Sequence, residues 1–104
     1  MNLVTIRGTL LYMIISFQHK GLKKFYETGS KQGIIANHEI KLQMILAALE
    51  VAETAEELNL PAFSLHSLKG DLKSYWSIKV NGNWRVIFRF TDSDVELLDY
   101  LDYH

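Results

Sequence analysis

Residues 75–90 carry the sequence YWSIKVNGNWRVIFRF, in which apolar and polar side chains alternate on both sides of a central Asn-Gly-Asn. Alternation with a period of two is typical of a β-strand that buries one face. An Asn-Gly pair between two such runs favours a tight hairpin turn. The stretch therefore predicts an antiparallel hairpin, and its core-facing residues are Trp76, Ile78, Val80, Trp84, Val86, Phe88 and Phe90.

A strand and a helix are predicted at the start of the domain. Residues 14–17, Ile-Ile-Ser-Phe, form a short apolar run typical of a strand. Leu22, Phe25 and Tyr26 follow at helical spacing, and Gly29 suits the left-handed conformation that ends many helices. We therefore expect a helix that ends before Gly29.

A second, longer helix is predicted in the middle of the chain. We expect it to begin at Asn37, a favourable N-cap residue. Its apolar positions then fall on one face, and they are Leu42, Ile45, Leu49 and Ala52. Because residues 54–57 have the spacing of a capping box, we expect a break near Glu53 and a short helical piece before Pro61.

The order of these elements predicts the fold class. Helices that precede an antiparallel meander indicate one α+β domain, with the helices on one face of a twisted, mainly antiparallel β-sheet. A third strand is expected from Val95, after a turn at residues 91–94. The 104 residues, 48% of them hydrophobic, suffice for one core and are too few for two. We interpret residues 1–12 as an N-terminal extension to a domain of residues 13–104.

The composition excludes several kinds of site. The absence of cysteine excludes thiolate metal sites and a cysteine nucleophile, and it suits the cytoplasm. The apolar run at residues 10–15 is too short for a membrane span, so no membrane contact is expected. The four histidines lack the i, i+4 spacing of a metal site, so we expect neither a metal nor another cofactor. His19 and His38 fall at predicted helix starts, where we expect them to be exposed.

Positive charge is concentrated between His66 and Arg89. This stretch holds five cations and one anion, a local charge of +4, whereas the whole chain carries -1. Guanidinium groups beside aromatic rings suit RNA phosphates and unstacked bases. The candidate RNA-binding residues are Arg85, Lys73, Tyr75 and Arg89. The alternative interpretation is that these charges are only solvated on an open strand face.

The tail of the chain suggests proton-transfer chemistry. When RNA is cleaved by its own 2′-hydroxyl, the protein supplies a base, an acid and positive charge for the phosphorane. Histidine and carboxylate groups transfer protons near neutral pH. Period-two alternation places Asp102 and His104 on one face of the last strand and Tyr103 on the other.

Several stretches, taken in order, resemble the HigB group of toxins in the RelE superfamily of ribosome-dependent mRNA interferases. They are residues 13–17, 19–22, 65–71, 75–78 and 83–86, and the terminal Asp102-Tyr103-His104. The resemblance covers residues 13–104. It implies a RelE-like fold and an endoribonuclease toxin of a type II toxin-antitoxin system.

The resemblance also implies a catalytic centre, which consists of His66, Lys69, Asp102, Tyr103 and His104. We assign His104 as the general acid and either Asp102 or His66 as the base. Lys69 and Arg85 would stabilise the phosphorane, and Tyr103 would orient the nucleotide. The expected product carries a 2′,3′-cyclic phosphate.

The same resemblance implies the partners. They are a HigA-type helix-turn-helix antitoxin, mRNA and the 70S ribosome, with DNA reached only through the antitoxin. A net charge of -1 argues against tight autonomous RNA binding, and presentation of mRNA by the ribosome removes that need. Two alternatives stay open: a ParE-like toxin that inhibits DNA gyrase, and a degenerate toxin that acts only as an antitoxin-binding partner.

Overall fold

The structure, a computed structural model, describes residues 14–91 and 94–103. Its helices and strands are α1 (Lys20–Thr28), α2 (Glu39–Val51), β1 (His66–Ser67), β2 (Trp76–Asn81), β3 (Trp84–Thr91) and β4 (Asp94–Asp102). Short 3-10 turns lie at Ala36–His38, Ala55–Leu58, Pro61–Phe63 and Gly70–Leu72. The predicted extension, the centre of the predicted turn at 91–94, and His104 lie outside the described residues. Within those residues, neither helix has the length and hydropathy to cross a membrane.

The four strands form one antiparallel sheet in the order β1-β2-β3-β4. The predicted hairpin is confirmed: Asn81 pairs with Trp84 around the turn, where Gly82 has a φ of 59°. The predicted strand at residues 14–17 is reduced to two isolated parallel bridges, from Ile14 and Phe17 to β4. The predicted α+β class, with helices on one face of a mainly antiparallel sheet, is confirmed.

The core lies between the two helices and one face of the sheet. The predicted apolar face of α2 is confirmed, since Leu42, Ile45, Leu49 and Ala52 are all buried. The sheet contributes the predicted hairpin face, and its fully buried members include Ile78, Val86 and Phe88. Helix α1 ends as predicted at Gly29, in the left-handed conformation with a φ of 81°.

The predicted start of α2 at Asn37 is wrong. Asn37 lies within a 3-10 turn, and the helix begins at Glu39. The predicted break after α2 is confirmed by the 3-10 turn Ala55–Leu58. The capping box is not formed, because Thr54 makes no capping bond and Glu57 accepts a hydrogen bond from the Glu53 amide instead.

The prediction that His38 is exposed is wrong as well. Only 4% of His38 is accessible, and its Nδ1 lies 2.7 Å from the Tyr100 hydroxyl oxygen. His38 ends a 3-10 turn whose backbone directs the side chain into the core, where the phenol partners it. His19 is half-buried, and its Nδ1 caps α1 by accepting a hydrogen bond from the Leu22 amide at 2.9 Å.

The chain packs backbone against backbone where α1 meets the loop before α2. A Cβ added at Gly21 would overlap the carbonyl oxygen of Gly33 and lie 2.7 Å from its Cα. Because the contacting atoms of Gly33 belong to the backbone, they cannot relieve the overlap by a change of rotamer, as a flexible side chain could. Gly21 is therefore required for the close approach of these two segments.

We predict that Gly21→Ala destabilises the protein by about 1–3 kcal/mol, the usual range for overpacking. The gain of up to about 1 kcal/mol in helix propensity does not offset this loss. Urea unfolding measures the difference, with Lys23→Ala as the control on an exposed position of the same helix. A Gly21→Ala protein at least as stable as wild type would contradict the close approach.

His38 also predicts a pH dependence of stability. Burial lowers the pKa of His38 below the 6.5 of an unperturbed histidine, so the unfolded chain binds more protons. The contribution of neutral His38 to the free energy of unfolding is therefore complete above pH 6.5. It is lost as the pH falls towards the lowered pKa of the folded state. Between pH 7.5 and pH 5, the urea midpoint should therefore fall further for wild type than for His38→Asn. Equal changes in the two proteins would rule out this contribution.

Candidate active site

The sheet has a second face that points away from the helices, here called the outer face. It carries a row of four paired residues, one from each strand: His66, Ser77, Ile87 and Asp99. Ser77 and Ile87 are buried in the middle of this row, whereas His66 is exposed on the edge strand. The outer face therefore combines a partly covered centre with polar groups at its edges.

Strand β1 and Asp99 were not anticipated from the sequence. β1 has only two residues, and Leu65-His66-Ser67-Leu68 does not alternate between apolar and polar, so period-two spacing gives no signal for it. Asp99 joins the row because Ile87 pairs with it across β3 and β4. Its carboxylate accepts a hydrogen bond from the Tyr100 amide at 2.9 Å.

Arg85 lies in the next row of the outer face, between Lys79 and Leu101. Its Nη1 is buried and makes no hydrogen bond within the part of the chain that the structure describes. A buried donor without a partner costs about 1–3 kcal/mol, more when it is charged. Guanidinium groups bind phosphate through paired hydrogen bonds, so Arg85 is suited to bind an anion at this position.

Arg89 lies on the same strand and already has a partner. Its Nε contacts the Glu96 carboxylate at 2.6 Å, and its guanidinium carbon lies 5.4 Å from the centre of the Tyr75 ring. The hydrogen bond between Arg89 and Glu96 raises the pKa of Arg89 and lowers the pKa of Glu96. The two predicted RNA-binding residues Tyr75 and Arg89 are thus brought together, with the positive charge compensated by Glu96.

Lys69 and Lys73 lie on the loop between β1 and β2. They flank the 3-10 turn Gly70–Leu72, and both are exposed. The loop is held at its base by the Leu68 amide, which donates to the Tyr75 carbonyl at 2.9 Å. Lys69 is therefore presented three residues after His66, from a loop that is anchored next to β2.

The tail continues the pairing of β4 beyond its last residue. Asp102 pairs with Trp84, and the Tyr103 amide then donates to the Asn83 carbonyl at 2.8 Å. Alternation places Asp102 on the helix side, with Tyr100, and Tyr103 on the outer face, with Leu101. Asp102 and Tyr103 are both exposed.

Those predicted catalytic residues that the structure describes lie at the two edges of the sheet. His66 is on β1 and Asp102 ends β4, so three strand spacings separate them, about 14 Å measured along the sheet. Arg85 lies between these edges, on β3. His66 and Arg85 share the outer face, whereas Asp102 lies on the helix side, so the sheet does not bring Asp102 onto the same face as the other two residues.

The architecture matches solved structures of two chains of similar size. The structure of the YoeB dimer from Staphylococcus aureus has a TM-score of 0.58 and 16% identity, and the match covers 90% of this chain and 99% of that one. The crystal structure of a YafQ mutant from E. coli has a TM-score of 0.50 and 22% identity, and the match covers 86% of this chain and 91% of that one. The protein therefore shares the α+β fold of these chains.

The sequence comparisons are more specific. A family model for the RelE-like toxin of type II toxin-antitoxin system HigB matches residues 15–104, and the chain belongs to this HigB-like toxin family. It is 45% identical to Endoribonuclease HigB of Proteus vulgaris over 92 residues, 88% of this chain and 100% of that protein. It is 35% identical to Toxin HigB-1 of Vibrio cholerae serotype O1 over 94 residues, 88% of this chain and 98% of that protein. The predicted family is confirmed.

The contrast between the two arginines predicts opposite effects on stability. We expect Arg85→Met to stabilise the protein by about 1 kcal/mol, because it removes a buried donor that has no partner and keeps an apolar stem. Arg89→Met should lower stability, because Glu96 and Tyr75 both lose a contact. Thermal unfolding of the two variants measures the difference. If Arg85→Met is the more destabilising change, Arg85 has a structural role that its geometry does not reveal.

Proposed function

We propose that this protein is an endoribonuclease toxin that cleaves mRNA on the translating ribosome. The observation that carries the proposal is the buried, unpartnered Nη1 of Arg85, within the described residues, on the face that also presents His66. Membership of the HigB-like toxin family supports it, as does the likeness to a relative named Endoribonuclease HigB along that relative's whole length.

The proposed reaction is an internal transesterification. A base removes the proton of the 2′-hydroxyl, the 2′ oxygen bonds to phosphorus, and the bond from phosphorus to the 5′ oxygen breaks. An acid then protonates the leaving 5′ oxygen. The products are a 2′,3′-cyclic phosphate and a 5′-hydroxyl, and the substrate itself supplies the nucleophile.

The geometry of His66 favours it as the base. Its Nδ1 lies 3.1 Å from the Leu65 carbonyl oxygen, which can only accept a hydrogen bond. In the neutral ring Nδ1 therefore carries the proton, and Nε2 keeps a lone pair that can take the 2′ proton. We therefore assign His66 as the base. Asp102 is assigned to orient groups at the end of β4.

The remaining roles follow from charge and position. His104 is assigned as the general acid, and Tyr103 orients the nucleotide on the outer face. Lys69 and Arg85 stabilise the charge that develops on the phosphorane. The residues assigned to hold the flanking RNA are Lys73, Tyr75 and Arg89.

The toxin-antitoxin family implies an antitoxin and an RNA substrate. We propose that the antitoxin is of the HigA type, with a helix-turn-helix domain that makes the only DNA contact. A net charge of -1 gives little general attraction for RNA, so the 70S ribosome is assigned to present the message. With these partners, the location that we propose is the cytoplasm, with no role at a membrane.

We predict that Lys69→Ala and Arg85→Ala each reduce single-turnover cleavage on mRNA-programmed ribosomes by roughly 10²–10³-fold. His66→Gln and His104→Gln should each cost ~10²–10⁴-fold, the usual contribution of a general acid or base. Lys23→Ala removes one charge from α1 and serves as the matched control, with cleavage at the wild-type rate.

A message with a single 2′-deoxy nucleotide at the cleavage site should not be cut. Cleavage of that message at the normal rate would exclude the 2′-hydroxyl as nucleophile. Intact mRNA together with an induced DNA-damage response would favour gyrase inhibition. Normal growth on expression of the protein alone would favour the degenerate toxin.

A further inference from the structure

An aromatic cluster lies beneath the end of β4, on the helix side of the sheet. We call it the tail cluster, and its members are His19, His38, Trp84 and Tyr100. The Trp84 and Tyr100 rings lie 4.9 Å apart, and the His38 ring meets Trp84 edge-on at 5.8 Å. His19 meets Tyr100 from the start of α1 at 5.1 Å. The cluster thus joins the beginnings of both helices to β3 and β4.

The Tyr100 hydroxyl is the centre of this arrangement. It accepts a hydrogen bond from the Ile35 amide at 3.2 Å and lies 2.7 Å from His38 Nδ1. In a neutral His38 that carries its proton on Nε2, the hydroxyl donates to Nδ1, so it is a donor and an acceptor at once. His38 and Tyr100 are 4% and 3% exposed, so water does not compete for this bond.

The tail cluster contacts the segment that carries the proposed catalytic residues. Trp84 pairs directly with Asp102, and Tyr100 lies two residues earlier on the same face of β4. Asn83, next to Trp84, accepts the hydrogen bond from the Tyr103 amide. A change in the position of Tyr100 or Trp84 is therefore transmitted to Asp102 and Tyr103 through one strand pairing.

We propose that His38 is a positioning residue for RNA cleavage, because its bond to Tyr100 fixes the end of β4 that presents Asp102 and Tyr103. This inference rests on the proposed function. His38 touches no substrate and acts only through Tyr100. Small displacements of reacting groups reduce rates strongly even when binding is intact, so its loss should appear in the chemical step.

Three variants test this role. Tyr100→Phe and His38→Leu remove the hydrogen bond and keep most of the packing, whereas His38→Asn offers an amide oxygen near the place of Nδ1. We expect the first two to slow single-turnover cleavage at saturating ribosomes about tenfold, with the half-saturating concentration unchanged. His38→Asn should stay within about threefold of wild type. The double variant His38→Leu, Tyr100→Phe should be no slower than Tyr100→Phe, because the phenylalanine already removes the bond to His38 as well as the bond from the Ile35 amide.

Amide hydrogen exchange gives a second measurement that does not depend on activity. The Tyr103 amide should exchange about tenfold faster in Tyr100→Phe and His38→Leu than in wild type, and at the wild-type rate in His38→Asn. Ile45→Val, a conservative truncation on the buried face of α2, is the control for general destabilisation. It should change neither the exchange of Tyr103 nor the cleavage rate.

Two results would overturn the proposal: a wild-type rate and wild-type Tyr103 exchange in both His38→Leu and Tyr100→Phe, or the same losses in Ile45→Val. If His38→Leu does not fold, a wild-type rate and wild-type Tyr103 exchange in Tyr100→Phe alone overturn the proposal. Failure of the wild-type protein to cut RNA would refute the proposed function instead, and the exchange of Tyr103 would still decide whether His38 holds the tail.

Discussion

The register of β3 is the constraint on which both the core and the candidate site depend. Val86 and Phe88 are fully buried against the helices, and the residues between and beside them, Arg85, Ile87 and Arg89, face outward. A slip of one residue would exchange these two sets, placing guanidinium groups in the core. Burial of the helix-side residues therefore fixes the position of Arg85 on the outer face. The apolar burial that stabilises the fold thus also determines which side chains of β3 face the candidate site.

Local patterns were sufficient for the elements whose residues are neighbours in sequence. The hairpin around Gly82, the end of α1 at Gly29 and the apolar face of α2 each follow from spacing within one element. The environment of His38 does not, because Tyr100 is 62 positions away along the chain. Spacing within one element reveals which residues share a face, whereas the partner of a side chain depends on how the elements pack.

The two arginines of β3 show the same limit at the candidate site. Arg85 and Arg89 lie on one face of one strand, and sequence alone gives both the same expected contact with RNA. Glu96 pairs directly with Arg89, on the far side of a register shift that falls between Ile87 and Arg89. Arg89 is thereby compensated, and the Nη1 of Arg85 is left without a hydrogen bond in the described part of the chain. A buried guanidinium nitrogen that makes no hydrogen bond in this part of the chain is available to an anion, and its burial without a partner has a cost in stability.

In the proposed mechanism, the cations of this chain act on the reacting phosphate and add little to its overall affinity for RNA. The distribution of charge is consistent with this. Phosphate contacts made by many cations would give strong binding to any RNA. This chain instead concentrates a local charge of +4 between His66 and Arg89 and carries -1 in total. Since Glu96 neutralises Arg89, the attraction for RNA in general is weaker still. In the proposed mechanism, the few cations that remain act at short range on a phosphate that is already in place. Presentation of the message by the ribosome fits this charge distribution better than capture of free RNA.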